Sequence, residues 1–512
     1  MASAGAGIEI ELALRLSDAA IAGLLASEAL AALRAGTGRR RRLISTYFDT
    51  AEGAFAAAGA VLRVRRVGRR HVQTVKRAAL PGDNAITRAE WEWALSGPTP
   101  DMALLALEPA LADIAAVDAP LVAVCSTDFE RIAIPLRRGA ARLELAVDRG
   151  MLCAGDRRVP LAEIEIELRR GTIADVYAVA ASLMAAAPMA LETLPKSARA
   201  QALRAGVAPP VRRAVRPRLT RDVSVGDALR GILRICLAQL RANSAAIRLG
   251  DDPAAMHQFR VALRRMRAAF SAFGFAMPLA TRRRFAVSLR RIARRSDPAR
   301  ELDVFLTEIL PAARARIGSD PGFDALAAVA TRARDAAWRR MRTLLDRPAF
   351  AVAVLDLEAW LEGPGWRDEA GTVHDAPMRP HARAVLRRLQ RKLLRAGEAI
   401  DGLDIAGLHR LRLRGKKLRY AGEFFRDLFQ GRGAKAYLSA LAEVQERLGA
   451  LNDGGALRAM LDRLARDARA ADGDFARGAA LVLGWAAARE AAGLDALPAA
   501  WARFAARRGF WK

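Results

Sequence analysis

Glu9 and Glu11, Glu90 and Glu92, and Glu163, Glu165 and Glu167 are carboxylates set two residues apart. In an extended strand that spacing puts each group on one face. Arg63 and Arg65 share a face in the same way, and Lys76, Arg88 and Arg131 stand in similar alternating runs. A single charged strand face is ordinarily a solvated one; the sorting by sign is what points to a site. A sheet curled with these faces inward makes a channel lined by both signs. Its carboxylates can hold a hard divalent cation through oxygen ligands. Its arginines and lysines can grip phosphate oxygens, arginine in fork geometry. The chemistry such a channel offers is polarisation of a phosphoryl group, or activation of water by the bound metal.

A second pattern lies in the other half. Met256-His-Gln-Phe-Arg-Val-Ala-Leu-Arg-Arg-Met-Arg267 matches Leu408-His-Arg-Leu-Arg-Leu-Arg-Gly-Lys-Lys-Leu-Arg419. Counted from the histidine, both copies are basic at +3, +7, +8 and +10. These positions are Arg260, Arg264, Arg265 and Arg267 after His257, and Arg412, Lys416, Lys417 and Arg419 after His409. At ~100° per residue the histidine and the +3, +7 and +10 positions share an arc of roughly 80°, with +8 displaced to the side. Phe259, Leu263, Met266 and Phe270 form the adjacent apolar face. An exposed basic face is common on helices, but repetition at equal offsets implies a duplicated helical unit. Charge this dense repels itself unless a polyanion relieves it. The histidines read as phosphate contacts or as core histidines bonded to carbonyls; metal ligation is disfavoured because no second His or Cys sits at ligand spacing. Further on, each copy has an aspartate in similar surroundings, Asp303 and Asp453.

The elements that position these residues follow from periodicity. Ile8–Leu12, Leu62–Arg65, Val72–Lys76, Arg88–Trp93, Arg142–Asp148 and Ala162–Leu168 alternate with period two and read as strands. Ala/Leu-rich segments near 17–34 and 173–187 read as helices, and the second half reads as almost entirely helical. The fold class is therefore α+β. The chain has 512 residues, 52% of them apolar, which excludes wholesale disorder. Of its net charge of +28, residues 1–205 carry 26 basic and 23 acidic side chains, so the excess belongs to the C-terminal part. Such an excess points to a polyanionic partner. Gly206–Pro217 holds three prolines and reads as an extended linker. This gives domains at 1–205 and 219–512 joined by 206–218. Cys125, Cys153 and Cys236 have no paired spacing, which excludes a disulfide framework and fits a cytoplasmic protein. The longest uncharged stretch, between Asp175 and Glu192, is too short to span a membrane. No basic segment followed by an apolar run opens the chain, so no signal peptide is expected.

The N-terminal motifs resemble the CYTH domain, the triphosphate tunnel metalloenzymes. Glu9-Ile-Glu-Leu-Ala13 is similar to the family's ExExK signature. Tyr47-Phe-Asp-Thr50, Leu62–Arg66, Gln73–Lys76, Arg88–Glu92, Phe129–Arg131, Val147–Gly150, Glu163–Glu167 and Pro195–Arg199 follow in order, over roughly residues 7–205. The resemblance implies an eight-stranded antiparallel tunnel, with flanking helices, that hydrolyses triphosphates with magnesium or manganese. It makes Glu9 and Glu11 metal ligands together with the Glu163, Glu165 and Glu167 strand, leaving open which of those three face the metal. Asp148 joins the metal or orients water. Arg63, Arg65, Lys76, Arg131 and Lys196 grip phosphates, and Arg88, Glu90 and Glu92 complete the wall. One departure stands out: the signature's lysine is Ala13, and Arg15, two residues further along the same strand face, offers a partial substitute. A guanidinium is a different donor from an ammonium, so turnover is in question while metal and phosphate binding are not.

The C-terminal repeats, with Leu448-Gly-Ala-Leu-Asn-Asp453, resemble the CHAD domain over roughly 219–505. That resemblance implies two four-helix bundles related by pseudo-twofold symmetry, a basic groove for inorganic polyphosphate, and association with polyphosphate granules. The leading expectation is thus a metal-dependent triphosphatase tunnel, acting on inorganic triphosphate or short polyphosphate, joined to a polyphosphate-binding domain. Within the enzyme class, an adenylyl cyclase or a thiamine triphosphatase shares the fold. The alternative is a non-catalytic polyphosphate-binding protein whose tunnel lost activity with Ala13. Nucleic acid is disfavoured, because the basic repeats lack interleaved aromatics for stacking; only Tyr420 is near.

Overall fold

The computed structural model describes residues 7–77, 86–363, 371–429, 433–467 and 473–512, apart from the side chains of 371–372, 450–454 and 467. The alternating segments form β1 (Gly7–Arg15), β2 (Arg39–Thr50), β3 (Ala60–Val67), β4 (Arg70–Arg77), β5 (Thr87–Leu95), β6 (Leu121–Arg138), β7 (Ala141–Ala154) and β8 (Arg157–Arg170), with a two-residue β9 (Ala190–Leu191). The order is β5-β4-β3-β2-β6-β7-β8-β1, and β1 also pairs with β5, which closes an eight-stranded antiparallel barrel. β9 takes over beside β1 at Leu14 and Arg15, beyond the β5 pairing. Gly139 and Gly155, with φ of 57° and 58°, open the turns from β6 to β7 and from β7 to β8. Tight hairpin turns call for positive φ there, which glycine adopts without a Cβ clash.

Alternation makes this barrel buried on both faces. Leu12, Leu14, Leu145, Val147, Ile164 and Ile166 point away from the interior and are buried. The helix Ile173–Ala186, opened by a capping box of Thr172 and Asp175, packs on β8 and β1 and buries Val176, Val179, Ala180 and Leu183. Each fully buried aliphatic side chain contributes about 1.5–3 kcal/mol. A second apolar cluster, Phe55, Leu62, Val75, Trp91, Leu105, Leu111 and Ile114, seals the opposite wall. The charged members of the strands are thereby left to the interior.

The chain divides into two compact units. The first is Met1–Arg212 with Arg241–Asp251 and Arg342–Gly365, and it holds the barrel. Its two later segments carry the last turns of the helices Val225–Leu249 and Pro321–Asp346 and all of Pro348–Glu362. Within it Arg241 and Glu358 form a buried ion pair at 3.0 Å. The second unit is Arg213–Leu240, Asp252–Met341 and Trp366–Lys512. It is helical, built on Pro253–Ala272, Leu279–Val304, Met378–Ala396, Ile405–Phe425, Gly433–Asp467 and Gly473–Ala505 and the larger part of the two shared helices. The two repeated motifs lie on Pro253–Ala272 and Ile405–Phe425, here the first and second basic helices. Each is capped by an aspartate five residues before its histidine: Asp252 accepts from the Ala254 N–H and Asp404 from the Gly407 N–H. An N-cap aspartate satisfies a free N–H of the first turn, so the duplication extends to the cap. The three cysteines are free. Among the described residues no helix is long and apolar enough to cross a membrane.

Candidate functional site

The barrel encloses a cavity of about 580 Å³. Glu9, Glu11, Glu90, Glu92, Glu163, Glu165 and Glu167 line it, as do Arg63, Arg65, Lys76, Arg88, Arg131 and Lys196. Strand register explains the assembly. Arg131 lies opposite Asp148, Asp148 opposite Glu163, and Glu163 opposite Arg15, forming one row across β6, β7, β8 and β1. In the next row Glu165 is opposite Ala13, and in the row after that Glu167 is opposite both Glu11 and Glu144. Asp148 is fully buried and does not line the cavity.

Lys196 opens the helix Lys196–Ala205 and is buried where three carboxylates converge. Its ammonium lies 2.9 Å from Asp148 and pairs with Glu163 and Glu165. Arg131 forks onto Asp148 at 2.6 and 2.7 Å and pairs with Glu165, and Arg199 pairs with Glu163. On the facing wall Lys76 bonds Glu9 at 2.5 Å and approaches Glu90 at 3.2 Å, while Arg63 donates to Thr74, which donates to Glu92. Burial by itself raises the Glu165 carboxyl, but Lys196 and Arg131 outweigh it and hold it well below the usual range. At Glu163 burial wins over Lys196 and Arg199, and the carboxyl is raised. Burial and then Glu165 raise Glu11. Burial carries Glu167 up to about 7 despite Arg169. Arg65 is pulled down to about 10, first by burial and then by Arg63 and Arg131. That places buried charges of both signs in one low-dielectric space.

Ala13 lines the cavity; Arg15 does not. The Arg15 guanidinium is held by Glu192 at 3.1 Å and Asp346 at 2.7 Å. Glu192 is buried and is also approached by Arg199 and Arg248. The strand-face position that made Arg15 a substitute for the signature lysine is therefore occupied by a committed side chain.

In the second unit the two basic helices pack on each other. Arg264 donates to the Tyr420 hydroxyl and lies 5.6 Å from that ring's centre; Arg419 lies 5.4 Å from the same ring. Arg260 bonds Ser296 at 3.1 Å and pairs with Asp297. Arg267 and His409 are exposed, and His257, Arg412 and Lys416 half-buried. Burial, then Arg300 and Arg264, lower His257. The copies diverge at +8. Arg265 is buried, donates to the Val215 carbonyl at 2.8 Å and lies over Phe424, whereas Lys417 is exposed. Asp303 is a structural residue: it is fully buried and accepts from Arg334 at 2.7 Å and Trp338 at 3.0 Å. The side chain of Asp453 lies outside the described residues.

A CYTH domain model matches residues 7–200 and a CHAD domain model matches residues 231–462. The chain contains a CYTH domain and a CHAD domain. The CHAD domain crystal structure from the plant Ricinus communis is 29% identical and covers 58% of this chain and 98% of its own, with a TM-score of 0.51. PptA from Streptomyces chartreusis is 19% identical, covering 55% and 99%, at a TM-score of 0.42. A Hippeastrum protein named for adenylyl cyclase, and described as having a dominant triphosphatase activity, is 19% identical, covering 40% and 97%, at 0.28.

In the CYTH domain, ligand oxygens of Asp148, Glu163 and Glu165 lie within 4.8 Å of one another. A buried, anionic, all-oxygen set suits a hard divalent cation, so a cluster able to chelate one is present. With the two domain identities, this supports a role in handling triphosphate or polyphosphate. Sequence reasoning missed several cavity residues. Arg39 and Arg41 line the wall while their neighbours Arg40 and Arg42 bond Glu130 and Asp128 outside; period two within the four-arginine run carries that signal. Glu192 gave none, because its importance comes from the side chains that converge on it.

Proposed function

We propose that the CYTH domain hydrolyses inorganic triphosphate or a short polyphosphate with magnesium or manganese, and that the CHAD domain binds inorganic polyphosphate. The observation that carries this reading is the single cavity in which the carboxylates of β1 and β8 face Arg63, Arg65, Lys76, Arg88, Arg131 and Lys196. Glu9, Glu11, Glu163, Glu165 and Glu167 are the pool that holds the cation, and Asp148, next to Glu163 and Glu165 but outside the cavity lining, joins them rather than orienting water. The bound cation would polarise the phosphoryl group and lower the pKa of the attacking water. The arginines and lysines bind and orient the phosphate chain; Glu90 and Glu92 fix Lys76 and Arg63 for that task.

Polyphosphate is favoured over nucleic acid by the fate of Tyr420. It is buried, and its hydroxyl accepts from Arg264, so it offers no platform for a base. The matched repeats, extending to their Asp252 and Asp404 caps, support two pseudo-symmetric four-helix bundles. We assign the tunnel to residues 1–205 and the binding domain to 219–512, with 206–218 as linker, in a cytoplasmic protein that associates with polyphosphate granules.

Phosphate release from inorganic triphosphate, ATP and thiamine triphosphate, with magnesium and manganese tested separately, is the deciding experiment. Release should need a divalent cation and should be abolished in Glu9→Gln or Glu11→Gln. Release in excess chelator refutes the metal assignment. A specific observation supports the second reading, a binding protein with a retired tunnel: Ala13 sits directly opposite Glu165 and Arg15 is tied to Glu192 and Asp346. Absence of release from every triphosphate, with gain in Ala13→Lys, establishes that reading.

A further inference from the structure

The helical unit contains a second basic cavity, of about 560 Å³, away from the arc that carries the histidines. Its cations are Arg282, Arg388, Lys392, Arg395, Arg414 and Lys417. Ser271 adds a hydroxyl and Leu389 and Ala396 an apolar edge; among the described residues no carboxylate and no aromatic ring lines it. The elements explain the convergence. Arg388, Lys392 and Arg395 follow i, i+4, i+7 along one face of Met378–Ala396. Arg414 and Lys417 are i, i+3 on the second basic helix, at ~140° and ~80° from His409, off the arc of Arg412, Lys416 and Arg419. Arg282 comes from Leu279–Val304, and its guanidinium fits against Gly274, where an added Cβ would meet Nη1 at 2.1 Å.

None of the six cations has an ion pair or hydrogen bond among the described residues. Three other arginines of this unit have carboxylate partners instead: Arg260 with Asp297, Arg300 with Glu308, and Arg334 with Asp303. Six like charges around a space the size of a small-molecule pocket raise each other's energy, and a concave wall focuses their field on an anion. The missing rings exclude recognition of a base by stacking. We propose that this cavity is a separate site for a compact ligand carrying three or more phosphoryl groups, a short linear oligophosphate or a polyphosphorylated cyclic polyol, bound independently of any chain on the histidine faces. Lys417 belongs to this site rather than to the histidine face, which accounts for the divergence of the two repeats at +8.

The test is calorimetry on the full chain in chelator, with tripolyphosphate and inositol hexakisphosphate as compact probes and long-chain polyphosphate in parallel. The triple substitution Lys392→Ala, Arg395→Ala, Arg414→Ala removes exposed side chains and relieves repulsion, so its thermal midpoint should not fall below the parent's. A control replaces Arg63 and Arg65 in the tunnel. The triple variant should lose about a hundredfold in affinity for at least one compact probe and keep long-chain affinity within about twofold; the probe that loses more identifies linear or cyclic chemistry. Equal affinity of both compact probes for parent and triple variant overturns the proposal. So does a parallel loss of long-chain binding, which makes the cavity part of one continuous groove, and so does loss of the compact sites in the tunnel control alone. If long-chain polyphosphate does not bind at all, the function proposed for the CHAD domain falls, and the compact probes still decide this site.

Discussion

The barrel interior and the second basic cavity are similar in volume, about 580 and 560 Å³, and both present clustered cations. They differ in what neutralises the charge. In the barrel, Lys196, Arg131, Arg199 and Lys76 are each bonded to buried carboxylates. Among the described residues no carboxylate lines the helical cavity. A buried charge must be paired as the chain folds, because an isolated ion in low dielectric costs several kcal/mol. The barrel's ions are therefore part of its architecture, and a ligand there exchanges partners with them. An exposed cation tolerates isolation in water, so the helical cavity can fold unpaired and take its countercharge from the ligand. The first kind of site is preorganised and weakly sensitive to salt; the second depends on salt steeply.

The largest expected effect breaks the barrel side of this contrast. Lys196→Met removes the ammonium shared by Asp148, Glu163 and Glu165 and leaves buried carboxylates short of a cation. The cost should be about 3–5 kcal/mol, read as a drop in thermal midpoint of the full chain. Manganese should then raise the midpoint of the variant more than that of the parent, since the metal no longer competes with an ammonium. Equal shifts would mean that the ion binds elsewhere, at Glu9 and Glu11 alone.

Much of this was legible in the sequence where period alone decides the outcome. Two-residue spacing is enough to put Glu163 and Glu165 on one strand face and, with the neighbouring strands in register, to aim them at Glu11 and Arg131. Helical offsets were enough to find the duplicated basic face. What the sequence concealed are partners set by tertiary contacts. Arg15 has the strand-face position of a substitute for the missing lysine, yet Glu192 and Asp346 decide where its guanidinium goes. Arg265 and Lys417 have equal offsets, yet the Val215 carbonyl and Phe424 claim only the first. Arg388, Lys392 and Arg395 become part of a cavity only because a second helix brings Arg414 and Lys417 alongside.

That divergence at +8 gives the next effect in size. Arg265→Ala should cost about 2 kcal/mol of stability, through the lost bond to Val215 and the lost packing on Phe424. Lys417→Ala should stay within about 0.5 kcal/mol, as exposed substitutions do. Denaturant unfolding of both variants checks this. Matching losses would restore the equivalence of the repeats and remove the reason to treat Lys417 as part of a different site.

The smallest effect concerns His257. Its affinity for a proton is lowered by burial and then by the positive charge of Arg300 and Arg264. A polyphosphate chain against Arg260 and Arg264 adds negative potential at the same place and offsets that repulsion, so the imidazole's pKa must rise on binding. The sign follows by linkage. Between the depressed value and the higher one the bound protein holds more protons than the free protein. Binding therefore takes up part of a proton, and affinity falls as pH rises through that window. Titration calorimetry of polyphosphate in two buffers of different ionisation enthalpy measures the uptake directly. In His257→Gln the uptake should vanish while affinity drops less than on loss of Arg260 or Arg264, because a neutral imidazole contributes little to the field. Undiminished uptake in the variant would assign the proton to another group. No uptake in the parent would place the chain away from the first basic helix and leave its arginines paired as they are with Asp297 and Tyr420.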